Sequence, residues 1–152
     1  MVIATVFAVC PVYADNKAGI LNSLGIDLEE KDTAEYVTRA EFAKSIVALS
    51  GMDGINDTYD FADVPNEYKS AASAACALGY MNYYEDLTFH PDEYITVGEC
   101  AKALVIMLGY RDLAKLLGGY VNAAKKLELF KNSASNFAKN ITYGELQTAY
   151  YN

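Results

Sequence analysis

The feature that most constrains this chain is a four-residue pattern, Thr-x-small-Glu, that occurs three times. In this pattern the threonine side chain can accept a hydrogen bond from the backbone amide three residues later. The glutamate can accept one in return from the amide of the threonine, which completes a capping box. Each copy therefore predicts the start of an α-helix. The copies are Thr38–Glu41, Thr96–Glu99 and Thr142–Glu145.

Apolar residues on either side of each pattern strengthen this prediction. A β-branched residue precedes each threonine, and an apolar residue stands four positions after it. Such a pair forms a hydrophobic staple, which sets the angle at which the chain enters the helix. The predicted pairs are Val37 with Phe42, Ile95 with Cys100, and Ile141 with Leu146.

A second shared element lies upstream of each capping box and marks the end of an earlier helix. Leu24-Gly25, Leu78-Gly79 and Leu127-Glu128 precede their capping threonines by 14, 18 and 15 residues. Glycine in two of the three copies is typical of a helix C-cap. The repeated unit is therefore helix, loop, helix, about 45 to 55 residues long. We predict units at about 15–51, 61–110 and 111–152, with 52–60 as a linker.

These units predict an all-α domain with a quasi-threefold arrangement. We expect the second helices of the units to form a central three-helix cluster, with the first helices packed outside. The segment Val97–Leu108 is apolar on nearly every side and should be the most central helix. The other predicted helices are 16–24, Arg39–Ser50, Asn66–Leu78, Asp112–Leu117, Tyr120–Leu129 and Tyr143–Tyr150.

Composition and charge exclude several classes of function. The net charge is −8 and only two arginines are present, which argues against a nucleic-acid partner. No apolar run reaches the length that a membrane-spanning helix needs. Residues 1–14 carry no charge and end in Val12-Tyr13-Ala14, which favours a signal peptide. A buried N-terminal element is the alternative.

Catalytic, metal and redox sites are poorly supported. The only histidine, His90, has no suitable nucleophile near it in the sequence, and no zinc or phosphate-binding motif occurs, so we expect a non-enzyme without metal or cofactor. The spacing of Asp57, Asp60 and Asp63 does not match a calcium-binding EF-hand loop. The three cysteines form no disulfide framework. A Cys76–Cys100 bridge stays open, although both residues suit an apolar helix face.

Several motifs together resemble surface-layer homology (SLH) repeats, and the resemblance extends from about residue 16 to residue 151. It implies a secreted module at the bacterial cell surface that anchors proteins non-covalently to pyruvylated secondary cell-wall polysaccharide. Other surface-layer subunits are further possible partners. The motifs are Phe61-x-Asp-Val, Leu78-Gly, Thr88-Phe89-x-Pro91 and Thr38-Arg-Ala-Glu41.

The resemblance also implies a binding site. Arg39 of the Thr-Arg-Ala-Glu motif, with its neighbours Thr38 and Glu41, is expected to contact the acidic sugar. A guanidinium at the first turn of a helix can fork onto a carboxylate, close to helix amides that attract anions. Pairing with a nearby acid such as Glu35 is the alternative. Tyr83 and Tyr84 are candidate sugar-stacking residues, or they cover the core.

Departures from the family pattern favour a second hypothesis. Val97 and Tyr143 replace the motif arginine in the other two units, and Tyr83 and Leu87 stand where the family usually has glycine. Glycine permits positive φ, which other residues adopt only with strain. The chain is then a degenerate SLH scaffold that mediates protein–protein contacts or self-assembly.

Overall fold

The computed structural model of the chain describes residues 22, 32–52 and 58–152. The predicted signal peptide, Cys10, the linker residues 53–57 and all of the first predicted helix except Asn22 lie outside the described residues. The described part is mostly helical and contains no strand. None of its helices is long and apolar enough to cross a membrane. The prediction of an all-α fold is thus confirmed for these residues.

Six helices follow one another in the described ranges, and their bounds lie close to those predicted. The largest difference is at α5, which ends at Lys126 and is followed by a series of turns instead of continuing to Leu129. Glu128 adopts a positive φ of 56° there. The helices are α1 (Arg39–Ser50), α2 (Asn66–Ala77), α3 (Val97–Met107), α4 (Arg111–Leu116), α5 (Tyr120–Lys126) and α6 (Tyr143–Tyr151).

Capping boxes begin α1, α3 and α6. In each, the threonine hydroxyl accepts from the glutamate amide, and the glutamate carboxylate accepts from the threonine amide. The residues predicted to form staples are buried completely, with zero exposure at Val37, Phe42, Ile95, Cys100, Ile141 and Leu146. Helix starts are therefore where local hydrogen bonding predicts them.

The most extensive helix pairs join one unit to the next, and the second helices α1 and α3 also contact each other. Helix α1 packs against α2, and α3 packs against α5, so the second helix of one unit lies on the first helix of the next. Small residues line these contacts: Ala72, Ala74 and Ala75 on α2, and Ala123 and Ala124 on α5, are all buried. Small side chains let helix axes approach closely. Helix α6 contacts α1 through longer side chains, with the Tyr150 hydroxyl 2.7 Å from Ser45 Oγ.

The segments that lead into α1, α3 and α6 meet in a closed ring, which we call the capping ring (residues 36–38, 94–96 and 140–142). Val37 donates its backbone N–H to Ile141, Ile141 donates to Ile95, and Ile95 donates back to Val37, at 3.0–3.1 Å. Isolated β-bridges join the same three segments in pairs. Each of the three segments therefore donates a backbone hydrogen bond to one neighbouring segment and accepts one from the other.

A second set of backbone bonds locks each helix start onto the loop of another unit. The first two amides of α1 donate to the carbonyls of Glu93 and Pro91, at 2.8 and 3.0 Å. The corresponding amides of α3 donate to Lys139 and Phe137. Those of α6 donate to Glu35 and Thr33. Helix N-termini leave such amides without intrahelical partners, and in all three cases a neighbouring loop supplies the acceptors at equivalent positions.

This docking explains why the third residue of each Thr-x-small-Glu pattern is small. A Cβ atom added to Gly98 would lie 3.0 Å from the Phe137 carbonyl oxygen, and one added to Gly144 would lie 3.1 Å from Thr33. Contacts this short between carbon and oxygen are repulsive and force a neighbour to shift. In α1 the equivalent residue is Ala40, which is 4% exposed.

Candidate functional site

The residue after each capping threonine is buried where two units meet. Arg39, Val97 and Tyr143 occupy this position and are 4%, 0% and 3% exposed, respectively. The Arg39 guanidinium lies 3.2 Å from Glu99, which belongs to the next capping box. The residue that the resemblance marks as a ligand contact thus also joins two capping boxes within the protein.

At the other two junctions the residue equivalent to Arg39 is Tyr143 or Val97. The glutamates equivalent to Glu99 are Glu41 and Glu145. Burial, and then a hydrogen bond with Glu41, raise the pKa of the Tyr143 hydroxyl well above its usual value. Val97 has no polar group, and at that junction Glu145 is paired with Lys139. All three capping-box glutamates are therefore engaged by side chains as well as by their own threonines.

Each of the three nitrogens of the Arg39 guanidinium donates a hydrogen bond inside the protein. Its Nε donates to the Phe89 carbonyl at 2.8 Å, and a terminal nitrogen donates to the Asn82 carbonyl at 2.6 Å. The group also lies over the rings of Phe89 and Tyr84, at 4.8 and 5.2 Å from their centroids. Of the alternative interpretation, a surface arginine paired with an acid such as Glu35, only the pairing with an acid holds: the side chain is buried and its acidic partner is Glu99.

Little space remains beside Arg39. The crevice that it lines with Asn82, Glu99 and Lys102 has a volume of about 40 Å³. A sugar ring does not fit into such a volume, since ligand pockets typically measure several hundred Å³. The geometry therefore favours a positioning role for Arg39, which holds the loop from Asn82 to Phe89 against the start of α1.

Tyr83 and Tyr84 belong to that loop. The Tyr84 ring stacks on His90 with centroids 4.1 Å apart, and its hydroxyl donates to Glu93 at 2.6 Å. That hydrogen bond raises the pKa of Tyr84. Tyr83 packs against Tyr59, 5.1 Å between centroids. Tyr83 and Tyr84 are 40% and 38% exposed, so part of each ring remains accessible to solvent.

Other residues of the same helix start line a larger cavity, which we call the tyrosine groove. Its volume is about 370 Å³. Tyr36 and Tyr94 form its exposed rim, with side chains 48% and 52% exposed and ring centroids 5.4 Å apart. The residues that line it are Ala34, Glu35, Tyr36, Thr38, Glu41, Tyr94 and Tyr143.

The predicted site residues are therefore divided between two places. Thr38 and Glu41 line the tyrosine groove, whereas Arg39, Tyr83 and Tyr84 lie at or around the small crevice. Sequence reasoning did not select Tyr36 and Tyr94. A signal was present, because each tyrosine stands two residues before a capping threonine, and the capping ring brings these equivalent positions together.

A third cavity of about 310 Å³ lies beside α5 and carries basic and aromatic side chains. Lys125 lies over the Phe137 ring at 5.3 Å, and Lys131 pairs with Glu128 at 2.9 Å. Phe130 meets Phe137 edge-on. Lys125 is therefore engaged by an aromatic ring and Lys131 by a carboxylate.

The described residues contain no cluster of His, Cys, Asp or Glu that could hold a metal ion. Asp57 lies outside the described ranges. Asp60 pairs with Lys69 at 2.7 Å, and the Asp63 carboxylate accepts from the amides of Phe89 and His90. Asp63 of the Phe-x-Asp-Val motif thus fixes the loop that Arg39 also holds.

The two cysteines in the described ranges, Cys76 and Cys100, are buried free thiols and form no bridge with each other. Burial raises the pKa of the Cys76 thiol to about 11 and that of Cys100 further. Their place in apolar helix faces matches the interpretation of these residues as small hydrophobic side chains.

Comparisons with known proteins add no family assignment. No protein-family model matches the chain, and no curated protein sequence matches it.

Proposed function

We propose that this chain is a non-catalytic module that binds cell-wall polysaccharide at the bacterial cell surface. The observation that carries the proposal is the open groove with two exposed tyrosines, Tyr36 and Tyr94, on its rim. Three capping boxes and the motif resemblance to SLH repeats, whose family members are secreted and bind such polysaccharide, support it independently.

The chemistry of the tyrosine groove suits a sugar. Aromatic rings present flat apolar faces that can cover the C–H face of a sugar ring, and their hydroxyls remain free for hydrogen bonds. Glu35 and Glu41 add carboxylate oxygens, which accept hydrogen bonds from sugar hydroxyls. A volume of about 370 Å³ suits one or two sugar rings.

Within this proposal Arg39 acts through the protein and not on the ligand. The resemblance implies that it contacts the pyruvyl carboxylate, yet each of its three nitrogens already donates within the protein, to Phe89, Asn82 and Glu99. Thr38 and Glu41 keep their proposed places beside the ligand because they line the groove. Tyr83 and Tyr84 offer partly exposed edges on a neighbouring surface.

A second candidate function is a scaffold for protein–protein contacts or assembly with other surface-layer subunits. Exposed apolar side chains near α4 favour it: Leu116 is 84% exposed, and Leu108 and Tyr110 are 46% and 44% exposed. Sedimentation of the chain at increasing concentration tests this candidate. Self-association that Leu116→Asp abolishes supports it, and a monomer throughout counts against it.

Co-sedimentation with purified cell-wall sacculi tests the main proposal. We expect the chain to pellet with the sacculi and the Tyr36→Ala/Tyr94→Ala double variant to remain in the supernatant. Tyr110→Ala is the matched control, because Tyr110 is similarly exposed but does not line the groove. Equal binding by all three proteins would reject the groove, and no binding by any would reject the function.

A further inference from the structure

An exposed leucine in the loop of the second unit and a cavity beside the loop of the third unit have complementary shape and charge. We propose that the leucine tip (Glu85, Asp86 and Leu87) of one copy of this chain docks into the α5 cavity of a second copy. The α5 cavity is the space of about 310 Å³ beside α5. This contact does not depend on glycan binding, and it differs from the α4 surface of the second candidate function.

The leucine tip is held in one conformation by hydrogen bonds of its own turn. The Leu87 amide donates to the Tyr84 carbonyl at 3.0 Å, and the Tyr84 amide donates to the Thr88 carbonyl at 2.9 Å. The Asp86 carboxylate accepts from the amide and the hydroxyl of Thr88, at 3.1 and 2.5 Å. A preformed tip loses little conformational entropy when it binds a partner.

Leu87 contributes little to the fold of a single copy. Its side chain is 69% exposed, and its φ of 63° lies in the left-handed region. A residue with a Cβ atom adopts this region only with strain, which a glycine would avoid. Strained positions of this kind are common where a residue is held ready for binding. An apolar contact with another molecule accounts for a leucine at this position.

The charges of the two surfaces are opposite. Glu85 and Asp86 directly precede Leu87 in the chain, and both side chains are exposed. Residues 111–152, which include the α5 cavity, carry six lysines and arginines and three acids, a net charge of +3 in a chain whose net charge is −8. Opposite charges on two surfaces of one chain bring copies together and orient them.

The lining of the α5 cavity suits a leucine with acidic neighbours. The rings of Phe130 and Phe137 give it an apolar wall, and the exposed Lys125 lies over the Phe137 ring at 5.3 Å. Lys131 is 60% exposed and pairs with Glu128, so its ammonium group can also reach a carboxylate of a partner. The cavity exceeds the volume of about 150 Å³ that holds a benzene ring. A leucine side chain therefore fits into it.

The contact joins two different surfaces and is therefore heterologous. One copy can offer its leucine tip to one neighbour and its α5 cavity to another, which produces rings or open chains of copies. The contact buries one leucine and a few charged side chains, so it belongs to the class of weak, transient interfaces. Copies held close together on one surface bind each other more effectively, because their local concentration is high.

Sedimentation of the full chain at increasing concentration tests the contact. We expect reversible self-association that weakens as salt is added. Leu87→Gly removes the apolar side chain and relieves the strain at this position, and it should weaken self-association about tenfold or more. Ser135→Trp places a large side chain at the cavity lining and should have the same effect. Leu116→Asp is the matched control, because Leu116 is also exposed but lies outside both surfaces.

A pair of charge reversals identifies the two partner surfaces. Glu85→Lys makes the tip less acidic, and Lys125→Glu makes the cavity less basic, so each variant alone should associate at least about fourfold more weakly at low salt. An equimolar mixture of the two variants should regain association, because each tip then meets a cavity of opposite charge. Far-UV circular dichroism of each variant shows that the fold is kept.

Each failure has a distinct meaning. A wild-type chain that stays monomeric would overturn the inference, and sacculus binding by that chain would leave the proposed function intact. Self-association that Leu116→Asp abolishes and Leu87→Gly leaves unchanged would also overturn it, in favour of the α4 surface. A mixture of Glu85→Lys and Lys125→Glu that associates no better than either variant alone would overturn the pairing of tip and cavity.

Discussion

Replacing Arg39 by alanine is expected to destabilise the fold, because this side chain joins α1 to the loop of the next unit. It is 4% exposed and donates to the carbonyls of Asn82 and Phe89. Each hydrogen bond from a charged donor contributes about 1.5–3 kcal/mol. Glu99 is 45% exposed and can be solvated again after the change, so its bond adds little. We therefore expect a loss of about 3–5 kcal/mol in unfolding free energy.

Urea unfolding followed by far-UV circular dichroism measures this loss by linear extrapolation. Arg111→Ala is the matched control, since it removes the only other arginine of the chain. That residue is exposed and its hydrogen bond to the Leu78 carbonyl is long, 3.5 Å. We expect Arg111→Ala to change stability by less than about 0.5 kcal/mol. Arg39→Lys keeps the charge but cannot fork onto two carbonyls, and should give an intermediate value.

A loss below about 1 kcal/mol for Arg39→Ala would refute the reasoning, because it would mean that the three bonds contribute no more than one ordinary hydrogen bond. If Arg39→Ala kept full stability and abolished sacculus binding, Arg39 would be a ligand contact, as the resemblance implies. The two roles therefore give opposite results in the two assays.

Three further predictions concern single positions. Leu87 is 69% exposed with φ 63°, so Leu87→Gly should raise the unfolding free energy by about 0.5–1 kcal/mol, whereas Leu87→Ala should not. Gly98→Ala should lower it by about 1 kcal/mol, measured in the same way, because the new Cβ presses on the Phe137 carbonyl; an increase would contradict the docking of these two segments. The Cys76 thiol, with its pKa raised to about 11, should react with an alkylating agent at least about a hundredfold more slowly in the native chain than in urea. Since its folded pKa lies above the unfolded value of about 8.5, stability should fall as pH rises from there towards 11; a flat profile that Cys76→Ala does not alter would contradict this.

The residues of the candidate site could be predicted only in part from equivalent positions in the sequence repeat. Thr38 and Glu41 were selected from the sequence as neighbours of Arg39, and both line the groove. Arg39 itself does not line it and pairs with Glu99 instead. Tyr36 and Tyr94 were missed because they are 58 residues apart and belong to different units. Their contact depends on the capping ring, whose hydrogen bonds no local pattern specifies.

The sequence by itself determined where the helices begin, and it did so through interactions that lie within six consecutive residues. A capping box and its staple are complete within Val37–Phe42, so they form in the same way at each copy. The tertiary structure decided how the copies meet. Whether Arg39 faces solvent or a neighbouring loop depends on carbonyls 43 and 50 residues away. Those acceptors reach it only after the loops dock on the exposed helix amides, and the same docking brings Tyr36 and Tyr94 together at the tyrosine groove.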